Sequence, residues 1–137
     1  MRGAGTPLNP LFPVDFRNFS VKCLLLVAIL NNQNMDRFSL AEDFAKRMEK
    51  KHPGIERVFL FGSVARREDK EGSDIDLLVV SKGDRFTLRN DIMKDVVDTL
   101  LKTGIYVSVK TISEKEYKNL KNTFFISEIE KSGVLIG

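Results

Sequence analysis

Two short motifs in this sequence carry residue types that could do phosphate chemistry, namely Gly62-Ser63 and Asp74-Ile75-Asp76. A glycine turn lets the backbone approach a ligand closely. The free N–H groups at a helix start favour a phosphate, and a serine hydroxyl adds a donor. Residues i and i+2 of a strand share one face, so Asp74 and Asp76 point the same way. Two such carboxylates repel unless a cation lies between them, and Mg²⁺ combines one or two carboxylates with substrate phosphates. The motifs therefore predict metal-dependent chemistry on a phosphorylated substrate.

The segment between the motifs, residues 64–73, is ten residues long and rich in charge. This length allows the phosphate-binding turn and the carboxylate strand to lie side by side. Arg66 or Arg67 can then reach a triphosphate. We expect the phosphate-binding set to be Gly62, Ser63, Arg66 and Ser73. Each motif alone is common on protein surfaces, but acidic pairs flanked by buried apolar strands are costly without a purpose.

The elements that must position these motifs follow from hydrophobic spacing and turn residues. Three strands are predicted at Ile55–Phe61, Ile75–Val80 and Ile105–Ile112. Helices are predicted up to about Lys51, from Ser63, over Asp84–Lys102, after Ser113 and over Phe124–Lys131. Ser39 with Glu42 and Ser113 with Glu116 match the capping-box pattern at a helix start. The order indicates an α/β (α+β) domain with a small mixed β-sheet flanked by helices.

Residues 1–34 differ in character from residues 35–137, and we treat them as an N-terminal extension of uncertain role. Prolines and glycines dominate the start, followed by the apolar run Cys23–Leu30. That run has a faint resemblance to a signal peptide. Alternatively it forms an extra helix that packs on the domain or on a partner, or translation starts at Met35.

Composition narrows the class of protein further. The net charge of +3 over 137 residues is weakly basic and does not favour a nucleic-acid ligand. The single Cys23 forms no disulfide within the chain, so a reducing, cytoplasmic setting is expected. The single His52 makes oxygen ligands and Mg²⁺ or Mn²⁺ more plausible than zinc. The longest apolar run is too short to span a membrane.

With these residues in place, the sequence resembles the DNA polymerase beta-like nucleotidyltransferases, and within them the minimal nucleotidyltransferases of prokaryotes. The resemblance rests on Leu60-Phe61-Gly62-Ser63-Val64-Ala65-Arg66 and on Asp74-Ile75-Asp76-Leu77-Leu78-Val79, and it covers roughly Ser39 to Gly137. It implies the nucleotidyltransferase fold, a nucleoside triphosphate substrate, two divalent metals and transfer of a nucleoside monophosphate to an acceptor. It also implies frequent pairing with a small helical protein of the HEPN type.

Carried over by position, the resemblance implies that Gly62 and Ser63 hold the β and γ phosphates and that Asp74 and Asp76 are the catalytic metal ligands. Two metals held in this way stabilise the attacking and leaving oxygens of an in-line displacement. The expected reaction is transfer of AMP from ATP, or of another nucleoside monophosphate, to a protein or small-molecule acceptor. Oligomeric state is left open.

The chain departs from the family pattern at two positions. A third carboxylate is usual on a later strand, but Ser108 lies near that position and its strand carries no acid. Asp91, Asp95 and Asp98 fall on the long helix, where we expect a solvated face. Arg67 occupies a position at which the family often has glycine. The alternative function is therefore a catalytically weak or inactive nucleotide-binding module that acts as the antitoxin partner of a HEPN-type protein.

Overall fold

A computed structural model describes Lys22, Leu26 and residues 36–137. The helices are α1 (Arg37–Lys51), α2 (Gly62–Ala65), α3 (Arg85–Thr103), α4 (Glu114–Asn119) and α5 (Phe124–Ser132). The strands are β1 (Ile55–Phe61), β2 (Ile75–Ser81), β3 (Val107–Ser113) and β4 (Val134–Leu135). Of the predicted N-terminal extension over residues 1–34, all but Lys22 and Leu26 lie outside the described residues.

The four strands form one mixed sheet in the order β3-β2-β1-β4. β1 runs antiparallel to both of its neighbours, β2 and β4, whereas β2 and β3 are parallel. A parallel pair needs a crossover connection, which α3 supplies between β2 and β3. The prediction of a small mixed sheet flanked by helices is confirmed. The short β4 was not predicted, because two residues carry too little pattern to be recognised.

One face of the sheet, the closed face, is covered by α1 and α3 and holds the larger hydrophobic core. Alternate strand residues point into it because successive strand side chains lie on opposite faces. The strand residues of this core are Ile55, Val58, Leu60, Ile75, Leu77, Val79, Val107 and Val109. Phe44 and Met48 from α1 and Ile92 and Val96 from α3 pack against them and are at most 1% exposed.

The other face, which we call the open face, is covered over only part of its area. Phe59, Leu78 and Val80 form a second, smaller core there with Tyr117 of α4 and with Ile126 and Ile129 of α5. The rings of Phe59 and Tyr117 stack with centroids 5.9 Å apart. The same strands also carry polar residues on this face, beyond the small core.

Helix termini show where local sequence rules held and where they failed. The predicted capping box at Ser39 and Glu42 is wrong: α1 starts at Arg37, and Asp36 is its N-cap, accepting from the Phe38 N–H at 3.2 Å. Asp36 is as good an N-cap as serine, and the earlier start lets Arg37 be buried. The second capping box, Ser113 with Glu116, is confirmed in both of its hydrogen bonds.

Two further boundaries differ slightly from the sequence patterns. The third strand begins at Val107 instead of Ile105 and extends to Ser113. Gly104, with φ 75°, ends α3. Residues 105 and 106 then turn the chain into the sheet, so the strand begins two residues later than predicted. Within the part of the chain that the structure describes, no helix is long and apolar enough to cross a membrane.

Candidate active site

The polar edge of the open face is built by the register of three strands. Phe61 of β1 and Ser108 of β3 are the partners of Asp76 on either side, so these three residues form one row across the sheet. The next row consists of Phe59, Leu78 and Lys110. Register partners on neighbouring strands lie about 5 Å apart. Asp76 therefore has an aromatic ring on one side and a hydroxyl on the other.

Gly62 follows β1 directly and lies against the carboxylate of Asp76. It has φ 78°, a left-handed conformation that favours glycine. A Cβ built at this position would clash with Oδ2 of Asp76. The positive φ favours glycine, and the missing Cβ lets the carboxylate of Asp76 approach the turn closely. This contact brings the predicted phosphate-binding turn and the predicted metal ligand together.

Asp74 immediately precedes β2, whose first residue Ile75 donates its N–H to the Tyr106 carbonyl at 3.0 Å. Asp74 is exposed, and Asp76 is half-buried. Burial raises the pKa of Asp76, and the negative charge of Asp74 raises it further. The two carboxylates thus interact, as their spacing predicted. A cation between them would relieve both the repulsion and the burial penalty.

The donor set fits a hard divalent cation. Two carboxylates supply oxygen ligands, and Mg²⁺ commonly takes one or two carboxylates together with phosphates and water. Among the described residues no group of three or more His, Cys, Asp and Glu side chains gathers as a metal site. Substrate oxygens would therefore have to complete the coordination at Asp74 and Asp76.

The structure places Arg66 near the acids, although its guanidinium is already paired. Its Nε donates to the Glu68 carboxylate at 2.8 Å in an exposed ion pair, which contributes little to stability. Its positive charge lowers the pKa of Asp76, against the larger effect of burial. Arg66 can therefore exchange Glu68 for a phosphate at little cost.

Ser73 has a structural use that its sequence position does not reveal. Its hydroxyl accepts a hydrogen bond from the Lys70 N–H at 2.8 Å, which shapes the turn before Asp74. Ser63, by contrast, follows Gly62 within α2, and its carbonyl accepts from the Glu68 N–H at 2.9 Å. The structure brings Gly62, Ser63 and Arg66 to one edge with Asp76, and it ties Ser73 into the neighbouring turn.

The backbone conformation of Arg67 explains why the family often has glycine at this position. Its φ is 58°, and among the described residues it is the single non-glycine residue with a positive φ. A left-handed conformation costs a residue with a Cβ about 1–2 kcal/mol. The guanidinium lies 3.8 Å from the centroid of the Phe38 ring, a cation–π contact that offsets part of this cost. Its side chain therefore packs on α1, which argues against contact with the phosphates.

Arg37 is a positioning residue that the sequence patterns did not single out. It is only 6% exposed, and its Nε donates to the Ser73 carbonyl at 2.9 Å. This bond ties the first turn of α1 to the residue before Asp74. Arginine is rarely buried, so the burial of Arg37 indicates a structural role. The sequence pattern does not show that Arg37 is buried.

Ser108 lies beside Asp76, near the position at which the resemblance to the nucleotidyltransferases implies a third acid. The three acids of α3 do not replace it, because α3 covers the closed face. Asp98 pairs with Lys102 at 3.0 Å on the exposed surface of α3, as predicted. Asp95 departs from that prediction, because its side chain is only 14% exposed and pairs with Lys51 at 2.6 Å.

A cavity of about 460 Å³ opens beside the Gly62 turn, between β1 and α5. Phe125 meets Phe61 edge-to-face with ring centroids 5.5 Å apart, and Phe124 is 81% exposed. The cavity is lined by Phe61, Gly62, Arg66, Phe124, Phe125, Glu128, Ile129 and Ser132. An aromatic, partly charged recess thus lies next to the candidate site.

The chain is a nucleotidyltransferase enzyme, as its family match and its relative of established family show, and enzymes of this type generally use a nucleoside triphosphate and a divalent metal. The chain belongs to the family of the nucleotidyltransferase domain, whose model matches residues 41–136. It is 31% identical over 103 residues to a candidate protein adenylyltransferase of Methanocaldococcus jannaschii, and the match covers 74% of this chain and 99% of that protein.

Solved structures of low sequence identity were also found. One is a candidate nucleotidyltransferase from Sulfolobus solfataricus, at 23% identity and a TM-score of 0.47, covering 82% of this chain and 85% of that one. Another comes from a tri-AMPylated HEPN toxin of Shewanella oneidensis in complex with an MNT antitoxin. It has 16% identity and a TM-score of 0.42, with 73% and 71% of the chains covered.

Proposed function

We propose that this protein transfers AMP from ATP to an acceptor hydroxyl on a protein, with Mg²⁺ or Mn²⁺ as the metal. The observation that carries the proposal is the contact between the Gly62 turn and the carboxylate of Asp76. It joins a surface suited to phosphate and a pair of metal-binding acids in one site. The similarity to a candidate protein adenylyltransferase supports AMP as the transferred group and a protein as the acceptor.

In this mechanism the acceptor oxygen forms a bond to the α-phosphorus of ATP, and the bond from that phosphorus to the bridging oxygen breaks. Pyrophosphate leaves, and the hydroxyl proton passes to solvent. Gly62 and Ser63 bind the β and γ phosphates through backbone N–H groups and the serine hydroxyl. Asp74 and Asp76 hold the metal, which supplies charge neutralisation on the phosphate oxygens.

Positive side chains of the protein complete the neutralisation. Arg66 releases Glu68 and turns to the phosphates, for which its planar guanidinium is well suited. The half-buried position of Asp76 excludes part of the surrounding water, so that charges at this edge act more strongly than in bulk solvent. Catalysis then consists of positioning and electrostatic stabilisation.

The direct test is label transfer from ATP labelled at the α-phosphate, with Mg²⁺ or Mn²⁺ and cell extract as the source of acceptors. We expect a labelled protein band with the natural chain and its loss in an Asp74→Asn, Asp76→Asn double variant. An Asp91→Asn, Asp98→Asn double variant removes the same charge from α3 and should keep the activity. Transfer that survives loss of Asp74 and Asp76 would contradict the proposal.

A second candidate function is a partner module with weak or no turnover, the antitoxin half of a pair with a HEPN-type protein. The observation that favours it is Ser108 in the row of Asp76, where serine cannot act as a base at neutral pH. The exposed rings of Phe124 and Phe125 offer an apolar contact surface for a helical partner.

Isolation of the natural protein with its bound proteins distinguishes the two functions. A small helical protein in stoichiometric amount, together with metal-dependent nucleotide binding and no label transfer, would favour the partner module. Robust transfer to a protein band that is lost in the Asp74→Asn, Asp76→Asn variant would favour the enzyme. Phe124→Ser should release the helical partner, because Phe124 is 81% exposed and available for contact with another protein.

A further inference from the structure

The row that contains Asp76 lacks further negative charge. Its strand neighbours are Phe61 and Ser108, neither of which ionises at neutral pH. Asp74 lies two residues before Asp76, and within the described residues no third acidic, histidine or cysteine ligand joins them. A metal site at this edge therefore has two protein charges to share, which is enough to neutralise one divalent cation.

A lysine lies one row further along the same face. Lys110 follows Ser108 by two residues on β3, so both side chains point to the open face. Lys110 is exposed, and its partner in the register is Leu78 of β2, two residues after Asp76. Its flexible four-carbon stem gives the ammonium room to reach the edge of the sheet.

Lys110 lies one row from Asp76 on the same face of the neighbouring strand, so its ammonium can act on the acid pair. A second divalent cation at this edge would have to share the same two carboxylates and would be repelled by the nearby ammonium. The sheet thus supplies one lysine charge where a second metal ion would otherwise be needed.

We propose that the site takes a single divalent cation together with the nucleoside triphosphate, and that Lys110 supplies the second positive charge against the phosphates. This inference rests on the proposed function, since it assumes that a triphosphate binds at Gly62 and Ser63. The pair Ser108 and Lys110 sets the number of cations. Lys110 binds a phosphate oxygen through its ammonium as a charge-assisted hydrogen bond.

The number of cations can be counted directly. Mn²⁺ binding to the natural chain is followed by electron paramagnetic resonance in the presence of saturating α,β-methylene ATP, which is not cleaved at the transferred phosphate. We expect one Mn²⁺ per bound nucleotide. A Ser108→Asp, Lys110→Gln double variant adds an acid and removes the competing charge, and we expect it to take two.

The contribution of Lys110 to nucleotide binding is measured by calorimetry with the same analogue. Lys110→Gln should weaken binding about tenfold, the effect of losing one hydrogen bond to a charged group. Lys110→Arg should restore most of the affinity. Lys94→Gln is the control, because Lys94 is an exposed lysine on α3, which covers the opposite face.

The results of these two experiments test this inference separately from the proposed function. Two Mn²⁺ ions per nucleotide in the natural chain would overturn this inference and leave the proposed function standing. So would unchanged affinity in Lys110→Gln, or a double variant that still takes one ion. Absence of any nucleotide binding would overturn the proposed function and this inference together.

Discussion

The two faces of the sheet use the same strands in opposite ways. On the closed face, Ile75, Leu77 and Val79 of β2 are at most 2% exposed and pack against α1 and α3. On the open face, the alternate residues run from half-buried Asp76 to fully buried Leu78 and Val80. A single strand thus anchors the fold on one side and presents an acid on the other. The candidate site is therefore held in place mainly by residues that never touch it.

The closed face should dominate stability. Leu77→Ala removes a side chain that is 1% exposed, and the expected loss in free energy of unfolding is about 2–5 kcal/mol. Asp76→Asn, one residue before it in the chain, should cause no comparable loss. Urea denaturation of both variants measures the contrast. A Leu77→Ala variant with nearly natural stability would show that the closed face does not anchor the sheet.

The contact between Gly62 and Asp76 should matter most for activity. Gly62→Ala places a Cβ against Oδ2 of Asp76 and forces a positive φ on alanine, so the acid or the turn must shift. A displacement of about 1 Å in a catalytic group can cost about 10²-fold in rate. We expect a loss of that order in label transfer.

The matched control for this substitution is Gly54→Ala, since a Cβ at Gly54 meets no atom within 4 Å. Gly54→Ala should keep both transfer and nucleotide binding. Full transfer by Gly62→Ala would mean that the close approach of the turn and the acid plays no part in the reaction.

Substitutions of Arg66 and Arg67 should have different effects on transfer, although the sequence predicted that either arginine can reach a triphosphate. Arg67→Gly relieves a left-handed conformation but loses the contact with Phe38, and these effects nearly cancel. We expect a stability change within about 1 kcal/mol and unchanged transfer. Arg66→Gly should lower transfer, because the positive charge of Arg66 acts on Asp76. Equal losses of transfer in the two variants would contradict the distinction.

The smallest expected effect is the loss of stability that the ionised carboxylate of Asp76 causes in the folded protein. Because burial and Asp74 raise the pKa of Asp76, the folded protein holds this proton to higher pH than the unfolded chain does. As pH rises from about 4, the unfolded chain loses this proton before the folded protein does. The free energy of unfolding therefore decreases until the pH exceeds the raised pKa of the folded state, and it stays at the lower value above that pH. Asp76→Asn should therefore raise the melting temperature slightly at pH 7 in the absence of divalent cations.

Thermal unfolding of both chains from pH 4 to pH 8, with a chelator present, measures this contribution. The gap between Asp76→Asn and the natural chain should open as pH rises, and added Mn²⁺ should close it by stabilising the natural chain alone. Asp91→Asn, on α3, is the control for removal of a charge. A lower melting temperature for Asp76→Asn at pH 7 would contradict the sign.

The sequence by itself determined the sheet strands β1 and β2, the long helix α3, the capping box at Ser113 and the two motifs. These features depend on short-range patterns: runs of apolar residues, cap residues and i, i+2 spacing on a strand. The roles of Gly62, Ser63, Arg66, Ser73, Asp74 and Asp76 in binding stay predictions. The structure places Gly62 against the carboxylate of Asp76 and holds Ser73 in the adjacent turn.

Only the tertiary structure decided the features that depend on strand register and on contacts between distant segments. The row of Phe61, Asp76 and Ser108 exists because three strands pair in one register, and the position of Lys110 beside it follows from the same pairing. Arg37 reaches Ser73 across 36 positions of the chain. A residue's sequence neighbours fix its local conformation, whereas the charges and rings around it come from segments that only folding brings together.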